Sequence, residues 1–300
     1  LRTRIRMIGE GAQGQVWLCR DAQDQSKEVV EKVMKFAGRA DRDAAMELAV
    51  AVRRLRHQHL IPYLDVMAGE EYDPTNRGNV VPTVTVLMPY FVERDMKSLI
   101  ETLEHPLGEY DICSMVLQLA SVIGYLHEQS PPIVHGDVKP DNVLMFDGLK
   151  RVLLMDLDTS RRAAPNGAAG AAMTYEYAAP ERCTTHPVLS AGLECRADVF
   201  SLGVVFFSLL FLPEFVLLRH PTSKEQLTLH ALEWTPTSMR LAIEELRMSQ
   251  RVECGAGFRP WHEMTIELLC AMLKHDPRER PDAHMVAAML NEIMLELLTR

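Results

Sequence analysis

The stretch HGDVKPDN, from His135 to Asn142, carries three side chains whose types and spacing suit the transfer of a phosphoryl group. Asp137 would accept the proton of a substrate hydroxyl, Lys139 would neutralise charge on the moving phosphoryl group, and Asn142 would hold a metal ion. Because a match of this kind also arises by chance in loops, its weight depends on other motifs in the right order along the chain.

A glycine-rich turn near the start of the chain is the first of these motifs. In GEGAQGQV, Gly9, Gly11 and Gly14 precede Val16, and the strand-like segments RIRMI and QVWLC flank the turn. Two strands joined in this way let backbone N–H groups approach phosphates without interference from a Cβ atom. We therefore expect the turn to lie over the phosphates of a nucleotide.

Further motifs follow the HGDVKPDN loop. They are Asp156 at the end of an apolar strand-like run in VLLMDLDTS, Ala179-Pro180-Glu181, Asp198 in RADVFSLG, and Arg280 in DPRERP. We expect Arg280 to be a buried partner of Glu181. The six ordered elements, spread over almost the whole chain, resemble the eukaryotic-type protein kinase family. We call the chain between Asp156 and Glu181 the activation segment, as in that family.

The resemblance implies an α+β fold with two lobes. A strand-rich N-lobe would cover residues 1–91 and a mainly helical C-lobe residues 92–300, with ATP and Mg2+ bound between them. Lys139, together with Thr174 in MTYEYAAPE, resembles the Ser/Thr branch of the family. The implied partner is therefore a protein substrate with a Ser or Thr acceptor, and a regulatory protein is a second class of partner.

The same resemblance assigns roles to individual side chains. Asp137 would act as the catalytic base, Lys139 would stabilise the transferring group, and Asn142 and Asp156 would bind Mg2+.

Departures from the family pattern concern regulation. Gly136 stands where the family usually has an arginine that a phosphate on the activation segment recruits. Residues 161–173 contain no Ser, Thr or Tyr, with Thr159 and Ser160 just before them. We expect that phosphorylation of residues 161–173 does not switch this chain. Asp158 replaces the usual glycine of the Asp-Phe-Gly triplet, which disfavours the flipping of that triplet.

The lysine that would grip the α- and β-phosphates has two candidates in EVVEKVMKF. If Lys35 points into the nucleotide cleft, Met34 and Phe36 point into the lobe core, which suits strand alternation. If Lys32 does so, Glu31 would face the core. Lys35 is favoured for this reason, and Lys32 stays the alternative.

The segment ADRDAAMELAVAVRRLRH predicts a helix that begins at Asp41 or Asp43. The spacing usual for kinases places the partner of the phosphate lysine at Leu48, whereas the nearby acid is Glu47. One residue is about 100° around a helix. Glu47 therefore either meets Lys35 because the helix is rotated, or lies on the surface.

The strand-like segment VTVLMPYF would supply the adenine side of the nucleotide site. Its spacing to Asp95 places Met88 at the gatekeeper position, and Pro89, Tyr90 and Phe91 where the hinge takes the adenine edge. Because Pro89 has no N–H, later backbone groups would have to donate to adenine.

Bulk composition excludes several other classes of protein. The chain has 300 residues, 47% of them hydrophobic, and a net charge of −9, which gives no support for binding nucleic acid or an anionic membrane. The apolar run 199–212 is shorter than a membrane span, which needs roughly 20 residues, so we expect a buried helix there.

Six cysteines without a CxxC pair favour a reducing compartment, the cytoplasm or the nucleus. Leu1 directly before the glycine-rich turn suggests a domain from a longer protein.

Two other functions stay open beside an active Ser/Thr kinase. A pseudokinase would serve as a nucleotide-binding or scaffolding module. Three features argue for it: the acid at Glu47 instead of the next position, Asp158 in place of the usual glycine, and Pro89, which has no N–H. A small-molecule kinase is disfavoured, because the Ala179-Pro180-Glu181 and Asp198 elements serve the docking of protein substrates.

Overall fold

The structure is a computed structural model and describes residues 2–11, 14–21, 24, 26–72, 80–102, 107–162, 174, 176–182, 191–211, 241, 244 and 261–299. The contacts divide the chain into two compact units, Leu1–Val92 and Glu93–Arg300. Most of the 161–173 segment lies outside the described residues.

Five strands of the first unit form one antiparallel sheet. They are β1 (Arg2–Gly11), β2 (Gly14–Asp21), β3 (Glu28–Lys35), β4 (Asp65–Tyr72) and β5 (Val80–Pro89), in the spatial order β1-β2-β3-β5-β4. Valine is frequent in β3 and β5, and its branched side chain suits a pleated, half-buried surface.

The register of the strands defines two faces of this sheet, because residues paired across strands point to the same side. Val16, Lys32 and Val86 are successive partners on β2, β3 and β5, and Val30 pairs with Met88 on the same side. We call this the Val16 face. Met88 is buried there, at 8% exposure.

The opposite side of the sheet, which we call the Trp17 face, carries Trp17, Glu31 and Leu87 as successive partners. The guanidinium of Arg4 on β1 lies 4.9 Å from the centroid of the Trp17 ring. Its Nε donates to Glu31 Oε1 at 2.8 Å. The carboxylate of Glu31 is therefore paired with the guanidinium of Arg4 from another strand of the same sheet.

Helix α1 (Arg39–Arg53) follows β3 and contacts β4 and β5. It begins two or four residues before the predicted starts at Asp41 and Asp43, because Gly38 has an extended backbone and caps the helix. Asp41 thus lies in the first turn, where a carboxylate interacts favourably with the helix dipole. Ala49 and Val52 are buried on its packed side.

The second unit is mainly helical. Its described helices are α2 (Met96–Thr102), α3 (Glu109–His127), α4 (Ala191–Leu210), α5 (Glu263–Met272) and α6 (Ala283–Leu298). Helix α3 packs against α4 and α6. Much of the apolar run that begins at Val199 is buried within α4, as the sequence predicts. In the described part of the chain, no helix has the length and hydrophobicity needed to cross a membrane.

Two small antiparallel strand pairs frame the loops that carry the predicted chemistry. β6 (Ile133–Val134) pairs with β9 (Arg161–Arg162), and β7 (Val143–Phe146) pairs with β8 (Arg151–Leu154). The HGDVKPDN loop joins β6 to β7, and Asp156 follows β8. A sheet unit followed by a helical unit confirms the predicted α+β class.

Candidate active site

The carboxylate of Asp137 is the centre of the site in the second unit. Lys139 Nζ lies 2.7 Å from Oδ2 of Asp137, and Asn142 Nδ2 donates to the same oxygen at 3.1 Å. Thr174 donates to Oδ1 through its hydroxyl at 2.9 Å and through its backbone N–H at 3.3 Å. Lys139 Nζ also donates to Thr174 Oγ1 at 2.6 Å. The structure thus brings Asp137 together with Lys139 and Asn142, the two neighbours predicted from the sequence.

A tight turn explains why Asp137 and Asn142 meet. Residues Pro140–Asn142 form a single 3-10 turn, and Pro140 suits its first position because the ring fixes φ and needs no N–H partner there. The backbone N–H of Asn142 donates to the carbonyl of Lys139 at 3.0 Å. Asn142 Nδ2 also donates to the backbone carbonyl of Asp137 at 2.9 Å. The loop is therefore held from within.

The carboxylate of Asp198 on α4 also holds the HGDVKPDN loop in place. Its Oδ2 accepts from the backbone N–H of His135 and its Oδ1 from that of Gly136, both at 2.8 Å. His127 Nε2, at the end of α3, lies 2.9 Å from Oδ2. Burial alone would raise the pKa of Asp198, but the hydrogen bond and charge of His127, with the N–H of Gly136, lower that pKa to about 2. The carboxylate is thus charged although it is only 1% exposed.

Gly136 has a left-handed backbone, with φ of 81°. A residue with a Cβ atom rarely adopts this conformation, so the replacement of the family arginine by glycine is coupled to the backbone geometry. The carbonyl of Gly136 accepts a hydrogen bond from Nη1 of Arg182. Sequence reasoning missed Arg182, although its place directly after Glu181 was visible.

Asp156 follows β8 and also has a left-handed backbone, with φ of 64° and ψ of 69°. Aspartate is among the few residue types enriched in this region. Its Oδ1 accepts from the backbone N–H of Asp158 at 3.4 Å. The N–H of Met155 donates to the carbonyl of Asn142 at 2.9 Å, which ties the segment before Asp156 to the loop.

The oxygens of Asn142 and Asp156 fit Mg2+. Asn142 uses its side-chain nitrogen to bind Asp137, so its amide oxygen remains the acceptor. One amide and one carboxylate are hard oxygen donors of the kind that Mg2+ takes together with water and nucleotide phosphates. Among the described residues no group of three or more His, Cys, Asp or Glu forms a metal site by itself.

Glu181 and Arg280 form the predicted buried ion pair. Arg280 Nη1 and Nη2 lie 2.6 Å and 2.8 Å from the two carboxylate oxygens of Glu181. The side chain of Arg280 is fully buried and its guanidinium lies 4.8 Å from the Phe200 ring centroid. This two-pronged contact fixes the end of the activation segment on the helical core.

In the first unit, Gly14 is the glycine of the turn that needs to be a glycine. Its φ is 145°, and a Cβ atom there would lie 1.9 Å from the carbonyl oxygen of Val33. At Gly11 a Cβ atom would meet nothing within 4 Å, and at Gly9 it would make an ordinary contact with Val16. The close approach of β2 to β3 therefore depends on Gly14.

The strand register does not support the preference for Lys35. Lys35 pairs with Thr83 and lies on the Trp17 face, where its Nζ is 3.4 Å from the carboxylate of Glu71 on β4. Lys32 lies on the Val16 face, beside the valine that follows the glycine-rich turn. Lys35 was favoured because Lys32 in the cleft would place Glu31 in the core. In the structure Glu31 binds Arg4, so this objection to Lys32 does not apply.

Glu47 is exposed and Leu48 is half-buried beside the packed side of α1. Lys35 binds Glu71 rather than Glu47. The alternative of a rotated helix that joins Glu47 to Lys35 is therefore not what the structure contains.

The proposed gatekeeper lies near the end of β5, and the proposed hinge residues begin at its last residue and continue past it. Met88 is buried on the Val16 face, and Pro89 closes the strand. One residue past β5, the N–H of Tyr90 donates to the carbonyl of Glu28 on β3 at 3.4 Å. Phe91 follows and is half-buried.

Comparisons with known proteins agree with this geometry. The model of the protein kinase domain matches residues 2–290, so the chain belongs to the protein kinase family. The chain is 24% identical to the serine/threonine-protein kinase nekl-2 of Caenorhabditis elegans, over 69% of this chain and 56% of that protein. It is 24% identical to the proline-rich receptor-like protein kinase PERK8 of Arabidopsis thaliana, over 96% of this chain and 40% of that protein.

A human relative, mitogen-activated protein kinase kinase kinase 6, is 29% identical over 66% of this chain and 14% of its own length. The chain thus covers between 14% and 56% of the length of these three curated relatives. The fold is the two-lobed α+β fold of protein kinases.

Proposed function

We propose that the chain transfers the γ-phosphate of Mg-ATP to Ser or Thr hydroxyls of a protein substrate, without phosphorylation of its activation segment. The observation that carries this proposal is the carboxylate of Asp137. Lys139, Asn142 and Thr174 hold it in one orientation, as a general base requires.

Oδ1 or Oδ2 of Asp137 would accept the proton of the substrate hydroxyl, whose oxygen would bond to the γ-phosphorus while the bond to the leaving ADP breaks. Lys139, 2.7 Å from that carboxylate, would place its positive charge where negative charge moves during transfer. Asn142 and Asp156 would hold Mg2+, which neutralises charge on the phosphates when bound.

On the first unit, we assign Lys32 rather than Lys35 to the α- and β-phosphates. The shared Val16 face supports this, because Gly14 and Val16 of the glycine-rich turn and Met88 belong to the same side of the sheet. Gly9, Gly11, Val16 and Met88 would then line the nucleotide, with Tyr90 and Phe91 following at the adenine edge.

Independence from phosphorylation is supported by the loop itself. The backbone of Gly136 is tied by Asp198 and Arg182, so the loop has internal anchors where the family pattern has an arginine. The sequence of residues 161–173 also offers no acceptor hydroxyl.

The second candidate is a pseudokinase, in which a regulatory protein reads the conformation of a nucleotide-bound or scaffolding domain. Asp158 in place of glycine and Pro89 without an N–H favour it, as does the half-buried Leu48 where an acid is expected.

Transfer of labelled γ-phosphate to a generic protein substrate distinguishes the two functions. We expect phosphatase-treated wild-type protein to be active, and Asp137→Asn to lower kcat at least about 100-fold, because a general base contributes that much. Asp43→Asn, at a carboxylate 65% exposed, is the matched control and should keep full activity. Nucleotide binding without transfer in the wild type would favour the pseudokinase.

A further inference from the structure

A buried carboxylate that takes no part in the proposed chemistry lies at the start of α4. Glu194 is 4% exposed, and its Oε2 is 3.5 Å from Nε of Arg161 on β9. Neither atom makes a hydrogen bond among the described residues. A charged group removed from water is costly unless an opposite charge compensates it. Arg161 is the cation that makes the buried Glu194 tolerable.

The position of this ion pair connects it to the proposed active site. Arg161 pairs with Val134 in the β6-β9 ladder, directly before the HGDVKPDN loop. Glu194 precedes Asp198 by four residues, so both carboxylates lie on the same side of α4. One carboxylate binds the first strand of the activation segment, and the other binds the loop that carries Asp137.

The chemistry of Arg161 suggests what the pair replaces. An arginine at the start of an activation segment is a natural partner for a phosphate group, which would order the segment through charge-assisted hydrogen bonds. Here a carboxylate that belongs to the fold already balances this arginine. The anion is therefore permanent and needs no kinase to supply it.

We propose that Glu194 is a positioning residue that orders the start of the activation segment by holding Arg161, in place of a phosphate. The inference rests on the proposed function for its effect on catalysis, but the ordering itself is independent of activity. Glu194 does not touch the substrate. It acts through Arg161 and the β6-β9 pair on the loop that carries Asp137.

Hydrogen exchange measures the ordering directly. We compare the wild type with Glu194→Gln, which keeps the size and removes the charge, and with Glu267→Gln, an exposed glutamate of α5, as the matched control. Exchange of the amides in residues 157–162 should rise at least about tenfold in Glu194→Gln, because their local opening becomes easier. Amides of α3 should be unchanged, and Glu194→Asp should retain most of the protection.

Activity measurements test the consequence for catalysis. With phosphatase-treated protein, Glu194→Gln should lower kcat/KM for a protein substrate about tenfold, or 1.4 kcal/mol, while the KM for ATP changes less than about twofold. Arg161→Met should do the same. If the two residues act as one pair, the double variant is no worse than either single variant.

The outcomes separate this inference from the proposed function. If the wild type transfers no phosphate but Glu194→Gln loosens residues 157–162, the proposed function fails and the ordering by Glu194 stands. Unchanged exchange in Glu194→Gln overturns the inference even in an active enzyme. Effects of Arg161→Met and Glu194→Gln that simply add also overturn it, because they would show that the two side chains act separately.

Discussion

Replacing Asp198 by asparagine tests how far one buried carboxylate maintains the loop that carries Asp137. In the wild type, its two oxygens accept from the N–H groups of His135 and Gly136 and bind His127. Asparagine keeps the shape but has one oxygen. Its NH2 group would face a backbone N–H, so two donors would meet in a buried place.

The magnitude follows from two contributions. The fall in the pKa of Asp198 from its ordinary 3.8 to about 2 corresponds to about 2 kcal/mol, since each pKa unit is worth about 1.4 kcal/mol. A buried donor left without an acceptor costs a further 1–3 kcal/mol, approximately. At pH 7 we therefore expect Asp198→Asn to lower the free energy of unfolding by about 3–5 kcal/mol.

The pH dependence has a definite sign. Because the pKa of Asp198 is lower in the folded state than in the unfolded chain, its stabilisation is complete well above pH 4 and is lost as the pH falls toward 2. At pH 3 roughly 1 kcal/mol of this stabilisation is gone. The difference in stability between wild type and Asp198→Asn should narrow by that amount between pH 7 and pH 3.

Urea unfolding of both proteins at pH 7, 5, 4 and 3 measures this difference. Glu292→Gln, at an exposed position of α6, is the control and should change stability by less than about 0.5 kcal/mol. A loss below about 1 kcal/mol at pH 7, or a difference that stays constant down to pH 3, would refute the reasoning.

Three further predictions follow from the site. Lys32→Met should raise the KM for ATP far more than Lys35→Met, because Lys32 lies on the Val16 face; equal losses would count against the register argument. Gly14→Ala should lower the melting temperature and ATP affinity, since the new Cβ would lie 1.9 Å from a backbone oxygen, whereas Gly11→Ala should leave the melting temperature unchanged. Asp156→Asn should abolish phosphotransfer with an unchanged circular dichroism spectrum, and normal magnesium dependence in that variant would contradict the metal assignment.

The loop with Asp137, Lys139 and Asn142 was predictable because its geometry is local. Asn142, whose amide binds Asp137, follows it by five residues, and Pro140 favours a turn between them. The buried helix over the apolar run that begins at Val199 was predictable for the same reason, since an uninterrupted apolar run is itself a local signal. The start of α1 was less accurate: Gly38 caps the helix, which begins at Arg39, two or four residues before the predicted starts at Asp41 and Asp43.

The choice between Lys32 and Lys35 as the phosphate lysine could not be made from local sequence. They are three residues apart in a strand, so they lie on opposite faces, and alternation alone does not say which face is which. The sequence argument assumed that Glu31 must avoid the interior. The structure offers a third environment, in which the carboxylate of Glu31 is covered by Arg4 from another strand. Such pairings between distant segments leave no local signal.

Gly136 illustrates the same limit in the second unit. In the sequence Gly136 stands where the family has an arginine, so the natural inference is that the loop has lost the contacts of that arginine. In the structure its N–H is bound by Asp198 and its carbonyl by Arg182, so both polar groups of this residue have charged partners from elsewhere in the chain. The left-handed φ of 81° accompanies this arrangement and favours glycine. The substitution is therefore one part of a different way of holding the loop, with Arg182 on one side, Asp198 on the other, and Glu194 one turn away from Asp198.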